Sequence, residues 1–262
     1  MSTYNDAEFL PEAMQSVLGQ SFNDFEFLIV DDNSSDTTKN ILADYQVKDP
    51  RIIFWSNPVN QGLTKNLNAA LAKARGEFMA RLDSDDAWLD KNKLKKQLDF
   101  LDKNPNYCLV GCWAEVCGPK NKKLYDLKYP AGDGEIREQL LVRNCFVHSG
   151  ILARTNAVKE AGVYGAGRQY IEDYALWLEL GKRYKFGNIP EIMVSYRVND
   201  LGITRTKNKE QIKAVLSLIK EYRNAYPNYA LALLKWSLQY ALSFVGLTGR
   251  VNVLKKIFKK EI

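Results

Sequence analysis

Residues 76–86 read Gly76-Glu77-Phe78-Met79-Ala80-Arg81-Leu82-Asp83-Ser84-Asp85-Asp86, a strand-like run from Glu77 to Leu82 that feeds a cluster of carboxylates. The same pattern occurs upstream, where the short apolar strand Glu26-Phe27-Leu28-Ile29-Val30 runs straight into Asp31-Asp32. Helix-period stretches surround both. Phe9, Leu10, Ala13, Met14, Val17 and Leu18 recur at helical spacing, with Pro11 tolerable in the first turn and Gly19 as the stop. A second helix is expected from Ser35 or Asp36, where a side-chain oxygen can cap it. A strand at Ile52 to Trp55 and a helix from about Thr64 to Arg75 follow. Strands alternating with helices predict an α/β fold with a mainly parallel central sheet flanked by helices. Ligands bind such sheets at the carboxyl ends of the strands, so the two acidic clusters are expected to face one crevice.

The start of the chain departs from this scheme. A doubly wound sheet opens with a buried strand, whereas the residues after Met1 read as the loop and helix that follow one, so the first strand is expected to be truncated, ending near Ser2. Beyond Lys91 come a charged helix to about Lys103, an apolar stretch from Tyr107 to Cys117, a basic turn at Lys120 to Lys123 and strand-like residues to Tyr129. This part reads as antiparallel or mixed, as an acceptor-binding half would. The chain thus divides into 1–205, an α/β domain with halves at about 1–105 and 106–205, and 206–262, a helical basic extension. In the extension, Tyr229 to Leu247 is mostly apolar but is broken by Lys235, Ser237 and Gln239, which suits an interfacial or packing helix better than a membrane span. Its stripe of Trp236, Tyr240 and Phe244 either docks on the body or, with Arg250, Lys255, Lys256, Lys259 and Lys260 of the tail, rests on an anionic bilayer.

At 262 residues and 46% hydrophobic, the chain can bury a substantial core, which excludes disorder. The formal charge of +6 suits anionic partners. Its excess lies in the tail and is not interleaved with aromatic residues along a sheet face, so no nucleic-acid partner is expected. Cys108, Cys112, Cys117 and Cys145 match neither a zinc knuckle nor a disulfide framework and read as reduced thiols. Met1 to Asp6 has neither the basic start nor the apolar run of a signal peptide, which predicts a cytosolic catalytic part, peripheral on the inner face of the plasma membrane if the tail makes contact.

Asp83-x-Asp85 in a loop after a strand is a hard-oxygen pair suited to Mg²⁺ or Mn²⁺, which take one or two carboxylates and complete their shell with phosphate and water. Such a cation would neutralise charge growing on a departing diphosphate. The bland alternative is a solvated acidic turn or helix cap. Glu172-Asp173 precedes an apolar helix face of Leu176, Trp177 and Leu180, and a carboxylate there is either a cap or a general base that takes the proton from an attacking hydroxyl. Helix N-terminal amides are expected to keep it ionised. His148, the only histidine, is either a hydrogen-bonded structural residue or part of a pocket wall. Gly165 to Gln169 is either an ordinary connection or a mobile loop over the site, in which Arg168 reaches a phosphate.

In order along the chain, Tyr4-Asn5, Ser16-Val17-Leu18-Gly19-Gln20-Ser21-Phe22, Phe25 to Thr38 with its Asp31-Asp32, Asn60-x-Gly62 with Lys65-Asn66, Gly76-Glu77-Phe78, Leu82-Asp83-Ser84-Asp85-Asp86 and Glu172-Asp173-Tyr174-x-Leu176-Trp177 together resemble glycosyltransferase family 2, over about residues 4 to 205. The resemblance implies a GT-A type nucleotide-diphospho-sugar transferase fold and a metal-dependent, inverting sugar transfer, with UDP as the expected nucleotide. It implies that Tyr4, Asp32 and Lys65 approach the nucleotide base, Asp83 the ribose or metal, Asp85 the metal, and that Asp173 is the catalytic base. Glu172, Arg168, His148 and Asn199 stand as candidates for acceptor or phosphate contact. The implied partners are a nucleotide-diphosphate sugar donor and a glycan or lipid-linked acceptor in surface polysaccharide assembly. Three features depart from the family: Lys65 stands where arginine is frequent and lacks its planar fork, Asn199 stands where a histidine often helps hold the metal or diphosphate, and the first strand is missing. A catalytically inactive glycan- or nucleotide-binding relative is the alternative. A receiver-type signalling module shares Phe27 to Asn33 but gives Glu172-Asp173 no purpose, and a nucleotidyltransferase lacks its glycine-rich, arginine-containing loop here.

Overall fold

A computed structural model describes residues 1–118, 121–165, 167–198 and 207–244. The first part alternates β1 (Ser2–Thr3), α1 (Leu10–Leu18), β2 (Phe27–Asp31), α2 (Thr38–Lys48), β3 (Ile52–Ser56) and α3 (Leu63–Lys73). Its three strands are parallel in the order β1-β2-β3, with Ser2 opposite Val30 and Phe27 opposite Ile52. The first strand is therefore present as two residues, Ser2 and Thr3, both buried. α1 puts Leu10, Ala13, Met14 and Val17 into the core, as its spacing predicts. α2 begins later than expected, at Thr38; Asp36 still serves its start, accepting the Thr38 N–H at 3.0 Å.

From there the topology is mixed. β4 (Phe78–Ala80), β5 (Ala87–Trp88), β6 (Tyr107–Cys117), β7 (Lys123–Leu127), β8 (Leu152–Arg154) and β9 (Lys185–Arg197) form a second sheet, ordered β4-β8-β6-β9-β5 with β7 against β6. Only β6 and β9 run parallel in it. Parallel pairing thus holds in β1 to β3, and the acidic run after β4 belongs to the mixed sheet. Helices α4 (Lys93–Lys103), α5 (Asp133–Gln139), α6 (Thr155–Glu160) and α7 (Glu172–Leu180) cover it, and α8 (Asn208–Glu221) and α9 (Tyr229–Phe244) follow.

One core gathers Trp177, Phe146, Phe186 and Leu109 under α5 and α7; the other gathers Leu10, Met14, Ile29, Leu42 and Met193 under the first sheet. All four cysteines are free and buried, and burial pushes the Cys112 thiol up to about 11. β6 and β9 approach so closely that a Cβ on Gly111 would lie 2.2 Å from Asn188 Oδ1 and 2.9 Å from Phe146 Cδ1. Asn188 is itself held by donating to Pro130 O at 2.8 Å. Gly111→Ala is therefore expected to destabilise by on the order of 1–3 kcal/mol through overpacking, read as a lower urea midpoint at unchanged slope.

In α9 the aromatic stripe divides. Trp236 packs on the first core and donates its Nε1–H to Leu141 O at 3.3 Å, whereas Phe244 is exposed beside Lys209. Among the described residues no helix is long and apolar enough to cross a membrane. The tail lysines and Asn199 lie outside the described residues.

Candidate active site

The site grows from loops that leave the carboxyl ends of β1 and β2, the run between β4 and β5, the 3₁₀ turn His148–Gly150, and the first turn of α7. Apolar strands deliver polar loops here because each strand's last residues leave the core together. Asp6, just past β1, accepts from the Tyr4 N–H at 3.2 Å and from Ser84 Oγ at 2.6 Å, joining the first loop to the acidic run. Tyr4 itself is half exposed.

Asp32 is buried and clamps a distant loop. Its Oδ1 accepts from Asn57 Nδ2 and the Gln61 N–H, both at 2.8 Å, and its Oδ2 accepts the Gly62 N–H at 2.9 Å. Burial alone would raise its carboxyl, but these donors outweigh it and hold the group below the ordinary value. Gly62 has φ +86°, which a side chain rarely adopts, and α3 starts one residue later with Lys65 exposed in its first turn. Asp32 therefore fixes the loop that presents Lys65.

The run Asp83 to Asp86 holds three carboxylates in different states. Asp83 is paired with the buried Arg81 and accepts from Ser149 Oγ at 3.2 Å; burial acts to raise it, yet the Arg81 guanidinium brings it below its usual range. Asp86 accepts from Ser149 Oγ and, at 2.7 Å, from the Arg197 N–H, and burial with Asp85 and Asp83 beside it drives it well upward. Asp85 is pushed up to about 7 by burial, then by the charges of Asp83 and Asp6. Its own backbone amide and the charge of Arg197 oppose this rise without cancelling it. A carboxylate crowded by others and short of donors is what a cation would discharge.

Asp173 sits in the first turn of α7, where Oδ2 accepts from Asn144 Nδ2 at 2.8 Å and Oδ1 from the Tyr174 N–H at 2.6 Å. The Tyr174 amide and Asn144 favour the charged form, as expected of a helix start, while burial acts against it and leaves the carboxyl above its ordinary value. Glu172 is also buried, and burial followed by the charge of Asp173 takes it to about 7. Ser149 bonds Asp83, and the adjoining His148 packs on Trp177 of α7, which brings the acidic run beside the helix that carries Glu172 and Asp173.

His148 contacts the Tyr164 hydroxyl at 2.9 Å through Nε2 and packs edge-on against Trp177, with ring centroids 5.9 Å apart. Burial, then the nearby Arg81, lowers it to about 3, so it is neutral and serves as part of the wall behind Asp83. Arg168 makes a salt bridge with Glu221 of α8 at 2.7 Å. Ser149, Asn144 and Arg197 reach the site through contacts 29 to 111 residues apart that spacing does not report, whereas Arg81 pairs with Asp83 only two residues on.

The state of Glu172 gives a stability test. Its carboxyl moves from 4.5 to about 7 on folding, so between those values the folded protein keeps a proton the unfolded chain has lost. Stability therefore falls as pH rises through this window, by about 3 kcal/mol at full effect. Glu172→Gln is expected to lose less between pH 4.5 and 7 than the parent in paired urea titrations.

Residues 1–162 match the family model described as glycosyl transferase family 2; Glu172 and Asp173 lie beyond the matched span. The chain is 30% identical over 214 residues to Escherichia coli WfgD, named UDP-Glc:alpha-D-GlcNAc-diphosphoundecaprenol beta-1,3-glucosyltransferase, with 80% of each protein covered. Staphylococcus aureus TarS 1–349 in complex with UDP-GlcNAc has a TM-score of 0.70 at 20% identity, covering 97% of this chain and 76% of that one. Against TarS 1–349 with UDP the match spans 63% of that chain. The mannosyltransferase PcManGT from Pyrobaculum calidifontis, in complex with GDP-Man and Mn²⁺, has a TM-score of 0.67 at 16% identity, covering 97% and 78%. At these identities the structural likeness is one of fold, the GT-A type.

Proposed function

The chain belongs to glycosyl transferase family 2, and from that premise we propose that it transfers a sugar from a UDP-sugar to a hydroxyl of a lipid-diphosphate-linked glycan, with inversion, in surface polysaccharide assembly. The observation that carries this reading is the contact between the acidic run and α7, in which Ser149 bonds Asp83 while the adjoining His148 packs on Trp177 of the helix that bears Asp173 in its first turn. Asp173 is the group that takes the acceptor proton, because Asn144 and the Tyr174 amide hold its oxygens while burial keeps its basicity up. A single displacement at the anomeric carbon needs no enzyme nucleophile, and no second base is invoked. Asp32 holds the loop bearing Lys65, and with Tyr4 these residues form the nucleotide end. The UDP-sugar named for WfgD and the UDP-GlcNAc bound by TarS support the choice of nucleotide.

The donor set fits Mn²⁺ or Mg²⁺ held by Asp85, with Asp83 the weaker ligand because Arg81 already occupies it. Among the described residues there is no group of three or more His, Cys, Asp or Glu that could hold a metal ion; a cation held by one or two carboxylates completes its shell with substrate phosphate and water. When bound, the cation would neutralise charge on the departing diphosphate. An inner-membrane-face location is part of the same proposal, supported by Arg250, Lys255, Lys256, Lys259 and Lys260 against one Glu261.

Release of nucleoside diphosphate from a panel of sugar nucleotides, with and without Mn²⁺ and with a lipid-linked acceptor, tests the reading. Turnover with UDP-sugars that Mn²⁺ raises and Asp85→Asn removes is the expected result. Donor binding with no turnover under any condition would leave a binding relative instead.

A further inference from the structure

The stretch from Leu141 to Asn144, just after α5, joins α9 to the group assigned as base. Leu141 O accepts from Trp236 Nε1 at 3.3 Å and Val142 O from Lys235 Nζ at 2.8 Å, while Asn144 Nδ2 donates to Asp173 Oδ2 at 2.8 Å. Arg143 lies between these contacts. Its Nε donates to Gln139 Oε1 at 2.7 Å and its Cζ sits 5.6 Å from the centre of the Tyr129 ring, which leaves both terminal nitrogens without a partner among the described residues. Lys235 is as poorly matched: besides Val142 O it meets only the Trp236 ring, 5.4 Å from the centroid. Both side chains are half-buried. Among the described residues no carboxylate makes an ion pair with either of them.

Burial, then the charge of Arg143, lowers Lys235 to about 8. Two half-buried cations without a counter-ion carry a free-energy cost that a bound anion would recover. On α9 the ammonium is flanked by apolar surface: Leu231 and Leu238 stand at i−4 and i+3 from Lys235, positions that share a helix face, and both are exposed, as is Leu234. The ligand that suits this arrangement is a compact double anion on an apolar chain. We propose that Arg143 and Lys235 hold the diphosphate of the lipid-linked acceptor, with its lipid laid along Leu231, Leu234 and Leu238 of α9. This inference rests on the sugar-transfer reading for the identity of the acceptor. Arg143 offers its terminal N–H groups as a fork to one phosphate, and Lys235 gives a point charge to the other. Because the residue after Arg143 holds Asp173, a sugar carried on that diphosphate is presented to the carboxylate that takes its proton.

Calorimetry with farnesyl diphosphate, inorganic pyrophosphate and farnesol, in the presence of excess UDP to fill the donor end, tests the subsite without turnover. The parent is compared with Arg143→Gln, Arg143→Lys, Lys235→Gln and the pair Leu231→Ser with Leu238→Ser, urea midpoints serving as the check on folding. Arg143→Gln and Lys235→Gln are each expected to weaken farnesyl diphosphate about tenfold or more with UDP affinity unchanged. Arg143→Lys keeps the charge without the fork and falls between. The serine pair weakens farnesyl diphosphate and spares pyrophosphate. In transfer assays KM for a diphosphate-linked acceptor rises by the same factor at unchanged kcat, whereas transfer to the same sugar on an alkyl chain without phosphate does not change. A parent that transfers to neither acceptor would sink the sugar-transfer reading, and the binding series would still decide the subsite. No binding of farnesyl diphosphate by the parent, or equal binding by every variant, would overturn the proposal. So would variants that lose anionic phospholipid vesicles yet keep farnesyl diphosphate, which makes the patch a bilayer contact.

Discussion

Asp173→Asn is expected to lower turnover by roughly 10²- to 10⁴-fold, the range that general-base catalysis contributes, while donor affinity stays within about twofold of the parent. Asparagine keeps the size and one acceptor oxygen for Asn144 or the Tyr174 N–H, so the start of α7 should hold while the proton acceptor is lost. Trp177, fully buried one turn on, anchors that helix against Phe146 and His148 whatever residue 173 is. The carboxyl of Asp173 lies above the ordinary value, chiefly through burial, so the parent's turnover should fall on the acid side at a pH above that of a free aspartate. Steady-state kinetics across pH, with Glu172→Gln as the neighbouring control, separate the two carboxylates. Retention of more than about a third of parental turnover in Asp173→Asn would remove Asp173 as the base.

Asp32→Ala should show the second large effect, on stability and binding together. It leaves the Gln61 and Gly62 amides and Asn57 Nδ2 without their acceptor. Each unsatisfied donor costs about 1–3 kcal/mol when buried; water reaches part of this loop, so a total loss of about 2–4 kcal/mol is expected. Because the same loop presents Lys65, UDP affinity should drop by about tenfold or more, equivalent to 1.4 kcal/mol. Asp32→Asn keeps one acceptor and should fall between. Urea unfolding and UDP titration of the three proteins check this, and an alanine variant as stable as the parent would show that Asp32 is not the clamp.

Much of this was legible in the residues. The apolar runs Phe27–Val30 and Phe78–Leu82, each ending in aspartates, announce strands that deliver carboxylates to one edge, and the α1 face of Leu10, Ala13, Met14 and Val17 appears as its periodicity predicts. Asp32 was expected as a nucleotide contact, and the structure adds that its oxygens first serve Gln61, Gly62 and Asn57, some 25 to 30 residues away. For Arg168 the glycine-bounded loop leaves open an ordinary connection or a phosphate or acceptor contact, and what the structure adds is a pairing with Glu221 of a later helix.

The sequence by itself determined the strand and helix periods, the order of the motifs, and hence the family. These are local properties, set by side-chain polarity at spacings of two and three to four residues. Only the tertiary structure decided the charge states of the site and the division into two sheets. Asp83, Asp85 and Asp86 are one residue type within four positions, yet Arg81 lowers the first while burial and mutual repulsion raise the others. That sorting depends on partners such as Ser149 and Arg197, brought from more than 60 residues away, and on how much water folding removes around each carboxylate.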